Sequence, residues 1–137
     1  MCDDALAELD EIPADVQDRS DVLELRLVVL MHIQRWHEAL NFSRRLIKTM
    51  PKAAAGYIHQ AYCLHELGET KLAKKTLLEG PDSLLKEPTY HYNLACYECI
   101  LGNLESAKRH LEASVMMDTR FRDFARNDPD LKSLREL

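Results

Sequence analysis

Cys96 and Cys99, in the stretch CYEC, are the residues whose spacing first suggests chemistry. Three positions apart, they share one face of a helix. A CxxC pair serves redox chemistry or supplies half of a zinc site. Redox pairs sit at a helix N-terminus behind a strand, whereas this one lies in mid-helix, and no second CxxC completes a zinc set. Both cysteines therefore read as small residues, buried or lining a groove. His59 and His65, with Tyr62 between them, offer a second set of donors. A step of 34 residues aligns His65 with Met31 and Cys99, a column that suits a soft metal. Neighbouring helices lie roughly 8–10 Å apart, so one ion cannot span that column. His59 and His65 are six apart and splay, and they read as polar groove or surface residues. The sequence thus predicts no metal, no cofactor and no catalytic residue. It holds no Gly-rich phosphate loop, no HExxH and no nucleophile elbow. The chain is expected not to be an enzyme, with a metal- or thiol-dependent enzyme as the alternative from another class.

Charge narrows the partners. Arg44, Arg45, Lys48, Lys52, Lys71, Lys74, Lys75, Lys108 and Arg109 form a basic set with few interleaved aromatics, which reads as a solvated face rather than a nucleic-acid site. The net charge is −5, and residues 1–24 carry nine acids against one base. No apolar run approaches the roughly 20 residues of a membrane span. The acidic start is unlike a signal peptide, and four cysteines beside a core-forming 137-residue chain do not suggest a disulfide framework. These features predict a cytoplasmic protein with reduced thiols, no nucleic-acid partner and no membrane.

The positioning elements repeat. ELGETKLAKKTL at 66–77 and ILGNLESAKRHL at 100–111 are one pattern, with Gly68 and Gly102, Ala73 and Ala107, and Leu77 and Leu111 each 34 apart. Stepping back places Ala39 and Ala5 in register. Such a period marks a unit that buries its apolar face only by stacking on its neighbours. Each unit reads as two helices. Tyr90, Leu94, Tyr97 and Leu101 form one stripe and Leu104, Ala107, Leu111 and Val115 the next. Pro88 suits a first turn, Gly102 a left-handed end and Asn103 a cap. Nothing alternates as a strand would. Gly80-Pro81 predicts an early helix stop, with Leu84 or Leu85 refilling the gap. Phe121, Phe124 and Leu131 are expected to cover the last unit, with Asp128-Pro129 starting a helix.

This pattern resembles the tetratricopeptide repeat. The matching residues are Tyr92 or His91, Leu94-Ala95, Gly102 and Ala107 in one unit and Tyr57, Gln60-Ala61, Gly68 and Ala73 in another. In the first unit only Ala39 and Pro51 match, because Leu27 replaces the small residue and Gln34-Arg35 replaces the Gly turn. The resemblance implies an all-α solenoid of helical hairpins, stacked as a right-handed superhelix, in a single domain over 1–137. Its parts are a half repeat at 3–19, repeats at 20–53, 54–87 and 88–118, and a cap at 119–137.

It also implies a function: a protein-interaction scaffold that takes a protein or peptide in its concave groove, or alternatively a dedicated chaperone for one client, as in secretion systems. The groove of this family is lined by one side of each first helix. The resemblance therefore assigns Glu24, Val28 and Met31, then Ile58, Tyr62 and His65, then Tyr92, Cys96 and Cys99, with His32, His59 and Asn93 beside them. The clamp variant that grips acidic chaperone tails uses basic residues where this chain has Glu24, Val28, His59, Thr89 and Asn93, so no such binding is expected. The acids Asp3, Asp4, Glu8, Asp10 and Glu11 give the first helix a polar outer face, which favours a monomer, with self-association through this edge as the alternative.

Overall fold

Helix–turn–helix pairs follow one another wherever an apolar stripe of period 3.6 is interrupted by a left-handed residue. The computed structural model describes residues 2–136, and side chains from residue 4 onward. Among these, the helices are α1 (Cys2–Asp10), α2 (Ser20–His32), α3 (Trp36–Thr49), α4 (Ala54–Glu66), α5 (Thr70–Leu78), α6 (Pro88–Ile100), α7 (Leu104–Met117), α8 (Arg120–Asn127) and α9 (Lys132–Arg135). Short 3₁₀ turns lie at Ala14–Val16, Asp82–Lys86 and Pro129–Leu131. No strand occurs among the described residues, and no helix there is long and apolar enough to cross a membrane. α2 pairs with α3, α4 with α5 and α6 with α7, and each hairpin stacks on the next through α3 against α4 and α5 against α6. The fold is a tetratricopeptide-type solenoid.

The turns between paired helices show the repeat at atomic detail. Gly68 and Gly102 take φ of 85° and 87°, and Gln34 takes φ of 62° at the equivalent place. Each is followed by the same tight bond, from Arg35 N to Leu30 O (2.9 Å), Glu69 N to Leu64 O (2.8 Å) and Asn103 N to Glu98 O (2.8 Å). Gln34 therefore adopts a backbone conformation that its Cβ disfavours by of order 1 kcal/mol. Asn103 does not cap α7 with its side chain, which instead donates to Glu98 Oε1 at 3.3 Å.

Ala39, Ala73 and Ala107 are fully buried, which is what close stacking of hairpins requires. Ala5 is only half-buried. Ser43, which stands where Leu77 and Leu111 do, is buried with its hydroxyl donating to Leu40 O at 2.6 Å. After α5 the chain turns at Gly80, and Leu84 fills the space beside it, where a Cβ on Gly80 would collide with Leu84 Cδ1. Leu85 stays exposed.

Two expectations need correction. Phe121 and Leu131 are buried in the cap, but Phe124 is 55% exposed, its ring standing edge-on to Phe121. Lys74 does not belong to a solvated face: it reaches Glu98, which is 5% exposed, at 2.7 Å. Burial alone would push the Glu98 carboxyl up; bonds from Lys74, Ser106 and Asn103 outweigh it and hold it below the usual range. Arg45 stays exposed, pairing with Asp18 at the surface while its guanidinium lies 5.0 Å from the Phe42 ring centroid. Of the acidic outer face, Asp4, Glu8, Asp10 and Glu11 are exposed, Asp10 bonding Arg26 at 2.7 Å, while the side chains of Cys2 and Asp3 lie outside those described. Cys63, Cys96 and Cys99 are free and buried.

Candidate functional site

One face of the stack carries two adjoining cavities that share Tyr62 and Glu66. The first, about 540 Å³, is lined by Val28, Met31, His32, Gln34, Trp36, Tyr62 and Glu66. α2 and α4 supply most of this wall, with Gln34 and Trp36 added from the turn into α3. The α2 stripe Leu23, Leu27 and Leu30 is buried; Met31, one turn beyond Leu27, packs partly against that core, and Val28 turns away from it, and both line the cavity. Val28 is 46% exposed and Tyr62 38%. The Trp36 ring stands 5.8 Å from that of Tyr62, an aromatic pair between two hairpins.

The second cavity, about 700 Å³, is built differently. α4 contributes Tyr62, His65 and Glu66, and α6 contributes Tyr92, Asn93, Cys96 and Tyr97. The opposite wall is the cap: Phe124, Asn127, Asp128, Pro129 and Asp130. The 3₁₀ turn at Pro129–Leu131 begins with a side-chain cap, Asp128 Oδ1 accepting from Asp130 N at 3.0 Å. Leu131 anchors this turn in the core. As a result two carboxylates face the inner helices. Asp128 Oδ2 accepts from the Tyr92 hydroxyl at 2.6 Å and from the Cys96 thiol at 3.7 Å. Asp130 Oδ2 lies 2.9 Å from His65 Nε2, and His65 Nδ1 lies 2.9 Å from Thr70 Oγ1.

Electrostatics follow from these contacts. The bond to Asp130 raises the His65 pKa, against the opposing effect of burial. Burial, with Asp128 and Asp130 close by, pushes the Cys96 thiol far up. Burial and the Asp128 bond do the same for the Tyr92 hydroxyl. His59 lies outside both cavities, 3.5 Å from Glu24, and its burial lowers its pKa more than Glu24 restores it.

The two cavities sort the residues assigned to the groove. Val28, Met31, His32 and Tyr62 line the first, and Tyr62, His65, Tyr92, Asn93 and Cys96 line the second. Glu24, Ile58, His59 and Cys99 line neither, and Cys99 is buried. Trp36, Glu66, Tyr97, Asp128 and Asp130 were not assigned from the sequence. Trp36 and Glu66 flank the inter-helix turns, outside the one-face-per-helix rule. The sequence signal for Asp128 was its Asp-Pro capping pair, which marks a helix start but not where the turn points.

The architecture defines the class, an all-α solenoid of stacked helical hairpins. No family model matches the sequence, and no characterised protein matches it in sequence. Solved structures share the fold, among them three of similar likeness. One described as MamA RS-1 ArsTM double mutant has a TM-score of 0.74 at 17% identity, over 98% of this chain and 80% of the other. MamA 41-end from Desulfovibrio magneticus RS-1 gives 0.73 at 16%, with the same coverage. MamA MSR-1 C2 gives 0.70 at 18%, over 87% of this chain and 68% of that one. At these identities the likeness is one of fold.

Proposed function

We propose that this chain belongs to the tetratricopeptide repeat family and acts as a protein-interaction module, not as an enzyme. Its repeats span 20–53, 54–87 and 88–118, between a half repeat at 3–19 and a cap at 119–137. The partner is an extended or helical segment with apolar or aromatic anchors, seated along the concave face. One observation carries this reading. Val28, Tyr62 and the Trp36 ring form an apolar, aromatic surface in the open cavity, where a monomeric fold gains nothing from exposing them. Met31 adds an adaptable contact, and Glu66 and His32 give the rim polarity.

Panning a random peptide library against the immobilised chain tests this. Enriched peptides are expected to carry aromatic or large apolar anchors. Tyr62→Ala should weaken them at least about tenfold with an unchanged melting temperature. Enrichment of purely charged peptides, or binding indifferent to Tyr62→Ala, would count against the groove.

A further inference from the structure

We propose that Cys96, Asp128 and Asp130 form a binding site for a single zinc(II) ion, assembled between α6 and the cap. The inference goes beyond the peptide-groove reading and is tested on the chain alone. The Cys96 thiol and one carboxylate oxygen from each aspartate all lie within 4.8 Å of one another. Tetrahedral zinc with Zn–S of about 2.3 Å and Zn–O of about 2.1 Å sets sulfur and oxygen about 3.6 Å apart. Cys96 Sγ and Asp128 Oδ2 are 3.7 Å apart, so this edge of the tetrahedron is already in place. The column Met31, His65 and Cys99 suggested by the 34-residue step is not the grouping that forms. The cap brings two acids from 32 and 34 residues downstream of Cys96 instead.

The surroundings are those of a supported site. Ligating carboxylates are held by outer hydrogen bonds in metalloproteins. Here Tyr92 holds Asp128 at 2.6 Å and His65 holds Asp130 at 2.9 Å, with Thr70 fixing His65 in turn. An independent observation comes from Tyr97. Its hydroxyl is buried with no hydrogen-bond partner among the described residues, and its side chain, 1% exposed, lines this same cavity. A buried hydroxyl left unpaired is costly, and a hydrated ion in this cavity answers it.

The donor set selects the metal. One sulfur and two oxygens suit borderline zinc better than calcium or magnesium, which take oxygen alone. On binding, the Cys96 S–H releases its proton to solvent and the sulfur bonds the ion. A dication against one thiolate and two carboxylates leaves one net negative charge, close to the Asp130–His65 hydrogen bond. Three protein ligands leave the fourth position to water.

The experiment is a titration of the chelator-stripped full chain with zinc chloride, and separately with cobalt(II) as a spectroscopic probe. One equivalent of zinc is expected to bind and to raise the melting temperature. Cobalt should give a thiolate-to-metal charge-transfer band in the near ultraviolet, absent from Cys96→Ser. The Asp128→Asn/Asp130→Asn variant keeps every thiol and should bind zinc at least about tenfold more weakly, with circular dichroism checking its fold. Wild-type chain that shows no stoichiometric binding and no thiolate band overturns the site. So does a band that persists in Cys96→Ser, or a folded double variant that binds zinc as the wild type does.

Discussion

Val28, Tyr62 and Cys96 occupy one repeat position, 34 residues apart, yet their exposure falls from 46% to 38% to 5%. The first two stand on the open half of the face that carries the two cavities, the third on the half closed by the cap. Repeat register does not decide this difference. The neighbours decide it: α2 and α4 present their inner flanks to a cleft, whereas α6 meets α7, α5, α4 and the turn at Pro129–Leu131. An unbroken run from Tyr92 to Cys99 is consequently buried, and α6 lacks the polar stripe that α3 and α8 keep. One half of the face stays open, and the other already meets the chain's own C-terminal segment.

Leu131→Ala tests the comparison hardest. Leu131 is fully buried and anchors the turn that carries Asp128 and Asp130. Its truncation should cost about 2–5 kcal/mol in urea unfolding. It should also make the closed half resemble the open one, so that Cys96 reacts with thiol reagents well before Cys63 and Cys99. Peptide mapping of the labelled chain reads this out. Equal labelling of all three would mean that the cap and the stack open together, and the division into halves would fail.

Tyr92→Phe is a milder version. It removes the hydroxyl that donates to Asp128 and keeps the ring against Phe121. A bond to a charged group is worth about 1.5–3 kcal/mol, and the low end is expected because Asp128 keeps its bonds from Asp130 N and Cys96. A loss as large as that of Leu131→Ala would show that the polar contacts, not the apolar anchor, hold the cap.

The fold was legible because its cause is local and periodic. Gly68 and Gly102 mark left-handed turns, and Ala73 and Ala107 mark close approaches, each at a fixed step. That Val28, Met31 and Tyr62 share one cavity wall was legible for the same reason, since they follow from helix register. The closed half was not. Asp128 and Asp130 reach His65, Tyr92 and Cys96 from as much as 65 residues away, through a turn whose direction depends on Leu131 finding the core. No periodicity encodes that path. Lys74 misled for a related reason: its acidic partner Glu98 sits on another hairpin.

Gln34 offers a smaller effect in the opposite direction. It alone among the three inter-helix turns carries a side chain at positive φ. Gln34→Gly should stabilise the chain by less than about 1 kcal/mol, because the relief of strain is partly offset by the freer unfolded chain. The same residue lines the open cavity, so a loss of selected peptides despite the gain in stability would assign Gln34 a part in recognition. Unchanged binding would leave it as a turn residue only.

The smallest expected change in stability belongs to Val28→Ser. Val28 is exposed on the open half, and substitutions at such positions shift stability by no more than about 0.5 kcal/mol. Its apolar side chain is nevertheless part of the cavity wall shared with Trp36 and Tyr62. If that wall serves a partner, Val28→Ser should leave the urea midpoint in place and lower the affinity of groove-selected peptides several-fold. The equivalent change on the closed half, Cys96→Ser, should leave those peptides unaffected, because Asp128 and Tyr92 already cover it. Matching losses from both substitutions would mean that the ligand displaces the cap, and that the whole face, not half of it, is the binding surface.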